Sequence, residues 1–132
     1  MIAITQEVLN QIISHAKEDL PNEACGYLAG NEGIVTQGYQ LTNVDHSPEH
    51  FTFDPAEQFK TVKDARSKGF QILANYHSHP ETPSRPSQED IRLAFDPDIS
   101  YIIISLADTE PVVKSFRIVS GSATNEELVI IS

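Results

Sequence analysis

The segment FQILANYH at residues 70–77 constrains the fold of this 132-residue chain more than any other stretch. It has the length of a β-strand, and it is too apolar to be open to water on both faces. Such a strand needs a sheet that is covered by another layer of structure. The rest of the chain is therefore expected to supply neighbouring strands and covering helices.

Apolar periodicity predicts a first helix over residues 5–19, and Pro21 lies just beyond, where it helps to end the helix. The apolar positions that recur at helical spacing form one stripe: Val8, Leu9, Ile12, Ile13 and Ala16. A short helix is also predicted over residues 87–95.

A further helix is predicted at residues 54–69 from the residues at its two ends. Asp54 can cap the helix, Pro55 suits its first turn, and Glu57 completes a capping box. Gly69 is expected to terminate it. The apolar side chains expected to face the core are Phe59, Val62 and Ala65.

Five more segments have the composition of strands: residues 25–30, 34–41, 100–107, 112–119 and 127–132. The resulting order, α-β-β-α-β-α-β-β-β, predicts an α/β or α+β layered domain in which a mixed β-sheet is packed by helices. The length suits a single domain comprising residues 1–132.

Composition disfavours several classes of function. A formal net charge of -10 disfavours binding to nucleic acid or anionic lipid and suits a basic or neutral protein partner. No apolar run approaches the roughly 20 residues needed to cross a bilayer. The N-terminal segment lacks the features of a secretory signal, and the lone Cys25 cannot form an internal disulfide. We therefore expect a cytoplasmic protein that binds neither nucleic acid nor membranes.

The segment NYHSHPETPSRPSQED, residues 75–90, places two imidazoles where the apolar strand ends. Side chains at i and i+2 of a strand share a face, so His77 and His79 can point the same way. If the following helix starts at Ser87, Asp90 lies in its first turn and can face back toward the histidines. Two histidines and one carboxylate leave a fourth tetrahedral position for water, which is the pattern of a catalytic zinc site.

A purely structural interpretation of the same residues is also open. Ser87 and Asp90 resemble a capping box in which Asp replaces Glu, so both can serve the helix terminus alone. The two interpretations hold together if Ser87 caps the helix with its backbone while its hydroxyl points at the site.

Other reactive side chains have simpler explanations. Cys25 has no base tied to it by sequence, and a buried free cysteine usually serves packing. His46 and His50 are spaced i, i+4, but Pro48 and the lack of apolar periodicity indicate a loop with surface histidines. His15, on the first helix, is expected to face solvent.

The order His-Ser-His-Pro, six residues and Ser-x-x-Asp, which runs from His77 to Asp90, resembles the signature of the JAMM (MPN+) zinc metallopeptidases. That family also uses an upstream glutamate in a Pro-x-Glu-x-x-Gly setting, and this chain has PNEACG from Pro21 to Gly26. The resemblance covers nearly the whole chain. It implies a cytidine-deaminase-like JAMM/MPN core.

The resemblance also implies a role for each residue of the motif. His77, His79 and Asp90 would bind Zn2+. Glu23 would deprotonate the attacking water and pass the proton to the leaving amine, and Ser87 would donate a hydrogen bond to the developing oxyanion. Without the resemblance, Glu23 would look like an ordinary surface carboxylate.

The expected activity, by the same resemblance, is hydrolysis of an amide next to the Gly-Gly tail of a ubiquitin-like or sulfur-carrier protein. Such a tail is expected to bind extended, by strand addition. The alternative is a non-catalytic MPN-type scaffold that binds proteins. A resemblance to DNA-repair-associated proteins with a similar signature is disfavoured by the acidic charge and the absence of an added helical region.

Overall fold

The computed structural model describes all 132 residues. The strands are β1 (Ile2–Thr5), β2 (Cys25–Asn31), β3 (Ile34–Leu41), β4 (Gln71–His79), β5 (Ser100–Ser105), β6 (Val112–Val119), β7 (Ser122–Glu126) and β8 (Leu128–Ile131). The helices are α1 (Gln6–Glu18), α2 (Pro55–Ser67) and α3 (Gln88–Arg92). All strands join one mixed sheet in the order β7-β6-β5-β4-β2-β3-β1-β8. None of the helices is both long enough and apolar enough to cross a membrane.

Strand β4, which contains the apolar segment, lies inside the sheet. It pairs antiparallel with β2 and parallel with β5. Tyr76 enters the core that α1 covers, so the alternation of the strand turns His77 and His79 toward the opposite face. Side chains of α2 line a cavity on that face together with His77. The sheet therefore positions the two histidines on the side away from α1.

Both faces of the sheet carry an apolar cluster, and β5 contributes to each. Ile102 and Ile104 belong to the cluster under α1, whereas Tyr101 and Ile103 belong to the cluster next to α3. A strand buried on both faces reads as an uninterrupted apolar run, which is what this strand shows. The expected mixed sheet with covering helices is confirmed.

Two strands were not predicted from the sequence, and one helix is shorter than expected. The four residues of β1 pair in parallel with β3 and β8, so they are held by partners distant in sequence. The edge strand β7 is polar and pairs only with β6. Helix α3 ends at Arg92 rather than near Phe95, which is 83% exposed. Pro97 follows closely, and the residue before a proline disfavours helical geometry.

Helix α2 presents only part of the expected face to the core, since Ala65 is buried as predicted and Val62 is half-buried. Phe59 is 69% exposed, so its predicted place in the core is wrong. The buried positions of the helix are Thr61 and Ala65. The rotation of α2 on the sheet, which no local pattern specifies, leaves Phe59 outside this face.

The ends of α2 follow the prediction in part. Asp54 caps the helix by accepting a hydrogen bond from the Ala56 N–H at 2.9 Å, and Gly69 follows the helix with a positive φ of 77°. Glu57 does not close a capping box. Its carboxylate instead accepts hydrogen bonds from the backbone N–H and the hydroxyl of Thr42, at 2.6 and 2.9 Å. Glu57 therefore bonds to Thr42, a residue distant in sequence that offers two donors, instead of to the backbone at the start of its own helix.

His15 is buried at 5% exposure, so the expectation that it faces solvent is wrong. Its Nδ1 lies 2.6 Å from the hydroxyl oxygen of Tyr76, and its Nε2 lies 3.2 Å from Oδ2 of Asp19. Tyr76 arrives from β4, 61 positions along the chain. A helical wheel drawn from the local sequence cannot contain this partner.

Candidate active site

Three side chains of metal-ligand type converge where β4 ends and α3 begins. The Nε2 atoms of His77 and His79 lie 3.1 Å apart, and each lies 3.1 Å from Oδ2 of Asp90. Both imidazoles are buried, and the carboxylate is partly buried. The structure thus brings together the three residues that the sequence singled out as ligands.

The spacing and the chemistry of these atoms fit a tetrahedral zinc ion. Bonds of about 2.0–2.1 Å at tetrahedral angles separate two ligand atoms by about 3.3 Å, which is close to the observed 3.1 Å. Nδ1 of His79 lies 2.8 Å from the carbonyl oxygen of Pro83. When the imidazole is neutral and donates this hydrogen bond, its Nε2 carries the lone pair that a metal needs.

The geometry of Asp90 agrees with both interpretations that the sequence left open. Its Oδ2 accepts a hydrogen bond from the Ser87 N–H at 2.9 Å, and the Ser87 hydroxyl oxygen accepts one from the Asp90 N–H at 3.0 Å. This is a complete capping box, yet the same Oδ2 faces His77 and His79. Burial alone would raise the pKa of Asp90, but hydrogen bonds from the two imidazoles hold it well below its ordinary value. The carboxylate is therefore ionised at neutral pH.

Ser87 stands exposed at the start of α3, directly beside this carboxylate. Its hydroxyl oxygen is used as the helix cap, but the hydroxyl proton is not consumed by that hydrogen bond. Ser87 therefore keeps a donor for a group that binds next to the three ligands.

An aromatic side chain from the loop before α2 packs on the site. The ring of Phe51 stacks on the ring of His77, with centroids 4.7 Å apart and planes 28° apart. Nδ1 of His77 is buried without a hydrogen-bond partner in the protein. Phe51 was not singled out from the sequence, because it lies in an irregular segment with no periodic signal.

Glu23 lies between α1 and β2 and is only 3% exposed. Burial raises the pKa of its carboxyl group to about 8. The charge of His79 lowers this pKa, and the charge of Asp90 raises it further. Oε1 of Glu23 has no hydrogen-bond partner in the protein. A buried carboxyl group with a free oxygen and a raised pKa is suited to hold a proton at that oxygen and to release it. The upstream glutamate of the motif thus lies within electrostatic reach of the ligands.

Two buried side chains hold the Glu23 segment in place. The Ser78 hydroxyl accepts a hydrogen bond from the Ala24 N–H at 2.8 Å, and the Ser78 N–H donates to the Ala24 carbonyl at 3.0 Å. Asn43 Nδ2 donates to the carbonyl oxygens of Glu23 and His50, each at 3.0 Å. Sequence reasoning missed both roles. Ser78 could have been found from its position between His77 and His79, because strand alternation turns its side chain to the opposite face of the sheet.

The glycine of PNEACG has a packing reason. A Cβ at Gly26 would overlap the ring of Tyr76, which directly precedes His77 on the neighbouring strand. Cys25 is fully buried, and burial raises the pKa of its thiol to about 12. A protonated, buried thiol agrees with the packing role expected for this residue.

The histidines of the loop before α2 do not join the ligand cluster, although His46 lines a polar cavity together with Glu23. His46 and His50 are exposed, as expected for surface histidines. His50 pairs with Asp45 across 3.0 Å, and that carboxylate also accepts a hydrogen bond from the hydroxyl of Thr52. These contacts order the loop itself.

Residues 5–119 match the family model described as prokaryotic homologs of the JAB domain. The chain belongs to this family. This membership confirms the family resemblance that the two sequence motifs indicated. The same two motifs supply the residues of the site just described.

Relatives match this JAB domain over most of its length. It is 34% identical over 134 residues to the CysO-cysteine peptidase of Mycobacterium tuberculosis, a match that covers 99% of this chain and 92% of the relative. It is 33% identical over 111 residues to the desampylase of Haloferax volcanii, covering 79% and 80%. Protein DSY2949 from Desulfitobacterium hafniense, a solved structure, has a TM-score of 0.91 at 50% identity and covers 99% of this chain and 93% of that chain. This JAB domain is a hydrolytic enzyme.

Proposed function

We propose that this JAB domain is a zinc-dependent peptidase or isopeptidase that hydrolyses an amide bond at the C-terminal tail of a ubiquitin-like or sulfur-carrier protein. The observation that carries the proposal is a buried carboxyl group, Glu23, within electrostatic reach of three converging ligand atoms from His77, His79 and Asp90. Residues 1–132 would act as one domain, because their strands belong to a single sheet.

The residues of the site divide the chemistry between them. His77, His79 and Asp90 would hold the zinc ion, which when bound supplies Lewis acidity to polarise the scissile carbonyl and to lower the pKa of water. Glu23 takes a proton from the attacking water and returns it to the leaving amine. Ser87 donates a hydrogen bond from its hydroxyl group to the oxyanion that develops on the scissile carbonyl.

The substrate class is supported by the relatives. One is named a CysO-cysteine peptidase, and another is named a desampylase. The Gly-Gly end of the carrier comes from the family resemblance and stays a prediction. The net charge of -10 favours a carrier that is neutral or basic around its tail. The cytoplasmic location expected from the sequence stays a prediction.

The test is to offer the zinc-loaded protein several Gly-Gly-tailed carriers, each joined to cysteine, to a lysine side chain or to a peptide. Mass spectrometry of the products should show release after the last glycine. A chelator should abolish cleavage, and added zinc should restore it. Glu23→Gln should keep the zinc content and lose turnover. Stoichiometric zinc without cleavage of any conjugate would favour the non-catalytic scaffold instead.

A further inference from the structure

An apolar cavity of about 570 Å³ adjoins the ligand cluster, and nothing in the proposed chemistry uses it. His77 and Asp90 form part of its wall, so the cavity is continuous with the site. Apolar side chains dominate the rest of the lining, among them Tyr27, Phe53 and Ile103. A cavity of this size and polarity is large enough for one or two bulky side chains.

Two large apolar side chains stand at the border of this cavity and are unusually exposed. Leu93 is 47% exposed and Phe95 is 83% exposed, and both line the cavity just after α3. Exposed apolar side chains beside an apolar cavity are typical of a binding surface. Phe59 of α2 is similarly exposed at 69% but does not line the cavity, so it provides a natural comparison.

The position of Glu23 indicates which part of a substrate lies here. Glu23 must reach the leaving amine, and it lines a different, largely polar cavity of about 430 Å³ together with Asn43 and His46. It takes no part in the apolar cavity. The amine side of the scissile bond therefore lies against Glu23. The acyl side would then extend past His77 and Asp90, which form part of the wall of the apolar cavity.

From this geometry we infer that the cavity bordered by Leu93 and Phe95 is a specificity site for the residues that precede the Gly-Gly end of the carrier. The inference rests on the proposed function and extends it to a substrate class: carriers with bulky apolar side chains directly before the two glycines. Two extended residues span about 7 Å, so the cavity beside the ligands receives the side chains that come next.

The first test compares two conjugates of one carrier to a lysine-containing peptide. Their tails end in Val-Leu-Gly-Gly or in Ser-Ser-Gly-Gly and are otherwise identical. Burial of the apolar pair should give the Val-Leu tail a kcat/KM at least about tenfold higher. Phe95→Ser and Leu93→Ser should each narrow the difference, whereas Phe59→Ser should leave it unchanged. Equal kcat/KM values for the two tails would overturn the inference and leave the peptidase activity intact.

The second test does not depend on turnover. Eight-residue peptides with the same two tails and a free C-terminal carboxylate are titrated into zinc-loaded Glu23→Gln protein, and amide chemical shifts are followed by NMR. The Val-Leu peptide should bind about tenfold more tightly and shift the amides of Leu93 and Phe95. If no conjugate is cleaved but this preference holds, the specificity site stands and the proposed hydrolysis falls. Binding without preference, or shifts elsewhere only, refutes the site.

Discussion

Replacing Glu23 by Gln should change how the stability of the metal-free protein depends on pH. Burial raises the pKa of Glu23 from 4.5 to about 8 in the folded state, whereas an unfolded chain keeps the ordinary value. Between these two pH values the unfolded state ionises and the folded state retains its proton. The contribution of Glu23 to the free energy of unfolding is therefore highest below pH 4.5 and falls as the pH rises toward 8.

The magnitude follows from the pKa difference. Each pKa unit corresponds to about 1.4 kcal/mol, so the carboxyl group costs up to about 5 kcal/mol of stability above pH 8 and about 3 kcal/mol at pH 7. Glutamine cannot ionise, so Glu23→Gln should remove this loss. The variant should gain stability relative to the parent protein progressively between pH 5 and pH 8.5.

Urea unfolding in a chelating buffer at pH 5, 7 and 8.5 measures this difference. Titrating groups that do not interact with Glu23 are common to both proteins and cancel in the comparison. Glu110→Gln, at an exposed turn, controls for the loss of one carboxylate and should show no such trend. If the stability difference between Glu23→Gln and the parent stays constant from pH 5 to 8.5, the burial of Glu23 does not perturb its ionisation and the reasoning is wrong.

Three further substitutions test the site. Asp90→Ala should weaken zinc affinity at least about 100-fold, because a ligand and its charge are lost; unchanged affinity in a competition titration would leave Asp90 as a capping residue only. Ser87→Ala should lower kcat by about 10²-fold with little change in KM, and an effect on KM alone would contradict oxyanion stabilisation. Ser78→Ala should lower the free energy of unfolding, measured with urea, by about 1–3 kcal/mol, since the buried Ala24 N–H loses its acceptor. The same variant should also have a lower kcat and an unchanged zinc content. Ser115→Ala, which removes another buried hydroxyl, should reduce stability but not kcat; equal kcat losses in both would assign Ser78 a general structural role.

The sequence by itself determined the chemistry and most of the regular elements. Apolar periodicity is a local property, so α1 and the buried strands β4 and β5 were predicted within a few residues. Metal ligands must be of particular types at particular spacings, so His77, His79 and Asp90 were identified from the motif, and the structure brings them together. The capping box at α3 was also predictable, because all of its atoms come from four consecutive residues.

The tertiary structure alone decided what depends on distant neighbours. The burial of Glu23 comes from packing against Asn43 and the loop that follows it, and this burial raises a pKa that no local pattern can shift. His15 became a core residue because Tyr76 arrives from β4, and Phe59 became a surface residue because α2 is rotated on the sheet. Propensity and spacing act over a few residues, whereas burial, electrostatics and the shape of a cavity are set by chain segments that meet only after folding.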